Sequence, residues 1–187
     1  MKELMEKLIK LPSKEEGKSV LIIKETHMFF RYAQPADKYT NEYENEPDHF
    51  DLRKIENEIT KFLEDKGKFI MEAKRPLPFI EEGFVTAPIN WKCYALEHTD
   101  DKSPYLVFQG TRPSGGFCNP GLLYSLVVVG YKENKDKVDG LLDYFKSVIR
   151  WICGGFERWP DVKTKLVSTN QIQNIEDILT LPSFSEA

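Results

Sequence analysis

The chain has 187 residues, 41% hydrophobic and 30% charged, the make-up of a globular protein with room for one core and little for a second. Twenty-six Lys and Arg against thirty Asp and Glu leave a formal net charge of −4, the wrong balance for a protein that grips nucleic-acid phosphates through clustered cations. No apolar run approaches the ~20 residues a bilayer-spanning helix needs, so no membrane role is expected.

Taken in chain order, the first element is a short amphipathic helix over 1–12. Leu4, Met5, Leu8 and Ile9 fall at helical spacing, and Leu11-Pro12 stops it. Charges at Lys2, Glu3, Glu6 and Lys7 rule out the apolar stretch of a secretory signal. Ser19 to Tyr32 (SVLIIKETHMFFRY) is rich in β-branched and aromatic residues and reads as one long strand, or two broken near Thr26. Alternation sets Val20, Ile22, Met28 and Phe30 on one face, and Leu21, Ile23, Glu25, His27, Phe29 and Arg31 on the other.

Residues 34–50 carry two prolines, many acids and few aliphatics, and read as a long exposed acidic loop. Asp51 to Lys66 is a helix with the stripe Leu52, Ile55, Ile59, Phe62 and Leu63, capped by Asp51 and ended by Gly67. Lys68 to Ala73 is a short strand. Ile89 to Glu97 and Pro104 to Gln109 form a hairpin about the turn cluster His98–Ser103. Gly110 to Gly121, with four glycines and two prolines, reads as a loop. Leu122 to Tyr131 is apolar on both faces and so a central, doubly covered strand. Asp136 to Cys153 is the longest helix, ended by Gly154-Gly155. A capping box at Ser168–Gln171 precedes a last short helix through Ile172, Ile175, Ile178 and Leu179, and 181–187 is a loose tail. The whole, 1–187, reads as a single α+β domain: a mostly antiparallel or mixed sheet packed with about four helices.

Cys93, Cys118 and Cys153 are odd in number and form no Cys-x-x-Cys pair, which fits free thiols in a reducing cytoplasm. They share no ligand spacing with the three histidines, so neither a metal nor another cofactor is expected. Asp48-His49-x-Asp51 reads as helix-capping acids for the same reason.

Gly110-x4-Gly115 has the glycine spacing of a phosphate-binding loop, but Gly116 and Phe117 stand where Lys and Ser/Thr belong, and a strand follows instead of a helix. A nucleotide loop is excluded. A small anion nest from Arg112, Ser114 and the Gly115 and Gly116 amides stays open beside a plain β-connection. Over nine residues, Pro104 to Arg112 (PYLVFQGTR) resembles the strand that runs into an (R)GT turn in class 3 lipases. The Gly-x-Ser-x-Gly elbow that presents a serine to its base is absent, so no catalytic role carries over.

Glu25, His27 and Arg31 supply one catalytic reading: His27 as general acid or base, Glu25 orienting it, and Arg31 or Arg112 holding an anion. Solvated polar residues at a strand end are the alternative. Glu97, in phase with Trp91, Cys93 and Ala95, is either an inward carboxylate or the start of an exposed turn. No catalytic constellation is complete, so the expectation leans away from an enzyme. It is a small cytoplasmic binding protein, of the immunity, inhibitor or accessory type, that meets a basic protein partner through an acidic, aromatic surface. Tyr39, Glu42, Tyr43, Glu44, Glu46 and Asp48 are its contact residues. The alternative is a small hydrolase- or transferase-like enzyme, or a binder of a small anionic ligand, built on His27 and the loop 110–121.

Overall fold

In the computed structural model, which describes residues 20–31, 52–75, 89–114, 121–152, 162–172 and 174–179, the apolar stretch after Ser19 is one unbroken strand, β1 (Val20–Arg31). Helix α1 (Leu52–Lys66) runs straight into β2 (Gly67–Arg75). Gly67 ends the helix as its sequence predicts, and also opens the strand. A Cβ there would lie 2.8 Å from both the Leu63 and the Ala95 carbonyl oxygens, so only glycine lets the last helical turn meet β3 this closely. The hairpin of β3 (Ile89–Glu97) and β4 (Pro104–Ser114) follows, then β5 (Gly121–Tyr131), α2 (Lys135–Ile152) and β6 (Lys163–Ser168).

The strands form one six-stranded sheet in the order β2-β3-β4-β5-β1-β6, and every pairing is antiparallel. Strand β5 is central, and from Tyr124 to Tyr131 each of its residues is buried, as its two-sided apolar sequence requires.

The two faces carry separate cores. Leu21, Ile23, Trp91, Cys93, Phe108, Val127, Val129 and Val167 share the first face with Ile172, Ile175, Ile178 and Leu179. On the second, Ile22, Tyr94, Val107, Leu126 and Val128 lie against Ile59 and Leu63 of α1 and Val138, Leu142 and Phe145 of α2. Each such aliphatic or aromatic side chain contributes ~1.5–3 kcal/mol when fully buried. The helices also touch each other, the Phe62 ring lying 4.8 Å from Tyr144 and 5.5 Å, edge-on, from Phe145. Lys24 of β1 reaches Asp139 of α2 at 2.8 Å and ties helix to sheet.

The expected fold class is corrected in its helices. Among the described residues there are two α-helices, not about four, so the chain is mostly β with few helices. The segment after Ser168 forms two short 3₁₀ turns, Thr169–Gln171 and Ile175–Leu179. Ile175 and Ile178 are spaced by three, the period of a 3₁₀ turn, and with the extended Ile172 between the turns they are buried on the first face. The helix expected over 1–12, the acidic loop 34–50 and the tail 181–187 lie outside the described residues.

The expected loop 110–121 is corrected too. Strand β4 continues to Ser114 and β5 starts at Gly121, so Gly110, Thr111, Arg112 and Ser114 are strand residues. Pro113 is tolerated because β3 pairing stops at Thr111, and beyond it β4 has only β5 beside it in the ladder. Among the described residues no helix is long and apolar enough to cross a membrane.

Candidate functional site

Alternation along β1 carries Glu25 into the apolar first face behind Leu21 and Ile23, and its exposure falls to 4%. A lone carboxylate there would be costly, and β6 supplies the counter-charge. The register sets Ile23 beside Lys165, one diagonal step from Glu25, and Lys165 Nζ donates to Glu25 Oε2 at 3.0 Å. Lys165 is 3% exposed. Burial pushes its ammonium below the ordinary lysine range, Glu25 draws it part of the way back, and the like charge of Lys163 lowers it further. The other carboxylate oxygen, Glu25 Oε1, is buried with no hydrogen-bond partner among the described residues. An acceptor stranded in this way costs ~1–3 kcal/mol.

The next row of the same face contains the smallest residues. His27 of β1 pairs with Ser125 of β5, Ser125 with Gly110 of β4, and Gly110 with Trp91 of β3. Ser125 is wholly buried. The Trp91 indole lies over Gly110, with Cε3 2.6 Å and Cδ2 2.8 Å from where a Cβ would stand. Trp91 is buried, and its Nε1, like Glu25 Oε1, has no hydrogen-bond partner among the described residues.

Two further rows hold Arg112, paired through Leu123 with Phe29, and Ser114, paired through Gly121 with Arg31. Glu25, His27 and Arg31 on β1 and Arg112 and Ser114 on β4 thus share the phase of the first face, with only β5 between their strands. From the sequence, Arg112 and Ser114 read as a loop; strand register aligns them with β1 instead.

Other expectations fall elsewhere. Glu97 is exposed at the far end of β3 from Trp91, and His98 opens the β3–β4 turn, so neither joins His27. There the Asp100 N–H donates to His98 Nδ1 at 3.3 Å and the His98 ring meets Tyr105 edge-on. Cys93 shares the Glu25 row, but burial pushes its thiol far up, so it is not a thiolate nucleophile. Among the described residues no three of His, Cys, Asp and Glu gather as a metal site. Tyr39, Glu42, Tyr43, Glu44, Glu46, Asp48, Cys118 and Cys153 lie outside the described residues.

Two polar groupings escaped the sequence reading. One is Lys165 itself, 140 residues from its partner. Its only local signal is its shared phase with buried Val167, which the opposite phase, holding apolar Leu166, obscures. The other is on the second face, where Gln109 Nε2 donates to Thr60 Oγ1 at 2.9 Å and accepts from Tyr124 OH through Oε1 at 3.0 Å. That chain joins α1 to β4 and β5 and leaves the amide with both ends used.

Comparison with family models, with curated proteins and with solved structures finds no match to this chain.

Proposed function

We propose that this chain binds a small anionic ligand on the first face of its sheet. In this reading Glu25 accepts a ligand N–H or O–H, Arg112 compensates the anion, and His27 between them exchanges a proton with the ligand. The observation that carries it is the buried Glu25 carboxylate, held through one oxygen by Lys165 and left with an unsatisfied acceptor on the other. Trp91 Nε1 supports it as an unpaired donor on the same face.

The test is thermal unfolding of the full chain with inorganic phosphate, glyoxylate (hydrated in water), glycolate or lactate. A ligand at 100 times its Kd adds about 2.7 kcal/mol, which raises Tm by roughly 5–10 °C in a chain of this size. At least one of the four is expected to do so, and Arg112→Met is expected to remove the shift. No shift with any of them rejects the reading.

The acidic-surface reading rests on the composition of 34–50 alone and stands as a second proposal: Glu42, Glu44 and Glu46 meet a basic protein. Charge reversal at these three separates the two, since it weakens capture of a basic partner and leaves the ligand-induced Tm shift unchanged.

A further inference from the structure

Resting on the ligand-site reading, we propose that Lys165 is a reactive amine that condenses with a small aldehyde or keto acid, with Glu25 as its proton carrier. Three features single it out among the lysines. It is held at 3.0 Å from a carboxylate in the interior, where desolvation favours the neutral amine over the ammonium. Lys163, two residues away on the same strand, adds like-charge repulsion. Glu25 also has a second oxygen with no hydrogen-bond partner among the described residues, an acceptor for the hydroxyl that a carbonyl becomes.

The step balances. The Lys165 ammonium gives a proton to Glu25, and the freed Nζ lone pair attacks the carbonyl carbon. A C–N bond forms while the C=O π electrons move to oxygen, which takes the proton from Glu25 to give a carbinolamine. A second proton passes from nitrogen through Glu25 to the hydroxyl, the C–O bond breaks, and water leaves. The product is an iminium ion that keeps the single positive charge Lys165 began with. Glu25 therefore ends as it started, a carboxylate beside a cation, and the interior never holds an unpaired charge.

The experiment is reductive trapping of the folded full-length chain with cyanoborohydride, using glyoxylate in one arm and formaldehyde in the other, followed by peptide mapping. Exposed Lys163 on the same strand is the internal control. Lys165 is expected to be labelled severalfold faster than Lys163 in both arms, since a lowered pKa leaves more of its amine neutral at neutral pH. Should formaldehyde label Lys165 no faster than Lys163, the amine is reached but not activated, and this inference falls while the ligand site stands. Labelling of Lys165 by neither reagent until urea is added would overturn both.

Discussion

Gly110 shows how one residue is read two ways. In sequence it begins a run of glycines and prolines and marks a loop. In the sheet it is a strand residue flattened beneath an indole, with Ile89 Cγ2 2.5 Å and Trp91 Cε3 2.6 Å from an added Cβ. Glycine serves a turn by its backbone freedom and a close approach by its lack of a side chain, and the letter is the same for both. Gly110→Ala is expected to destabilise the protein by about 1–3 kcal/mol, the usual cost of overpacking, seen as a lower urea midpoint with an unchanged slope. The displaced Trp91 should report the change as an altered near-ultraviolet spectrum. Glu25 was the more legible residue. Two-residue alternation from Leu21 sends it into the core whatever lies opposite, so its phase was readable from β1 alone. Its counter-ion was not, because no local pattern reveals a contact 140 residues away.

Among elements, those with a strong internal period were legible and those defined by their neighbours were not. Helices α1 and α2 emerged within a residue or two of their expected limits, since their apolar stripes repeat at three and four over fifteen and eighteen residues. The segment from Ile172 to Leu179 offered a spacing compatible with both helix types, and its length decided for 3₁₀ turns. The β3–β4 connection is an element whose fixity comes from outside it. Lys102 takes a left-handed φ of 57°, and Asp101 accepts from both the N–H and the Oγ of Ser103, at 3.0 and 2.7 Å. Lys137 at the start of α2 donates to the same carboxylate. Those hydrogen bonds hold the Asp101 carboxyl well below its ordinary 3.8. A folded-state pKa below the unfolded one means that the unfolded chain takes up its proton first as pH falls. The contribution of Asp101 is therefore complete above the ordinary value and is lost as pH drops through and below it. Asp101→Asn is expected to lower the urea midpoint at neutral pH and to flatten that part of the acid limb, the two chains converging at low pH, as followed by urea midpoints against pH.

At the scale of the molecule, the sheet has one face clad by two helices and another that holds its buried charges. Sequence alternation separated these faces along β1 and β3 but could not stack strands beside one another. Register did that, and moved Arg112 and Ser114 from an expected loop to positions aligned with β1. The Glu25–Lys165 pair can be weighed against an apolar substitute. Lys165→Met leaves a buried carboxylate unpaired and is expected to cost about 3–5 kcal/mol, whereas Glu25→Leu with Lys165→Met is expected to fall near the wild type or above it. A double-mutant cycle by urea denaturation checks both values. A double variant as stable as the wild type means that stability alone does not account for the pair, as the ligand-site reading requires.

The strand order has a consequence in time. Strands β2 to β5 are neighbours in both sequence and space, so each can pair with the strand made just before it. Strand β1, first of the described strands to be synthesised, pairs with β5 and β6, about 90 or more residues further along. Closing so long a loop costs entropy that local hairpins do not, and slows the pairing that depends on it. The meander from β2 to β5 is thus free to nucleate, while β1 waits for the chain to return. Glu25 meets Lys165 only when β6 docks, so an unfinished or truncated chain holds the meander's core without the charged pair.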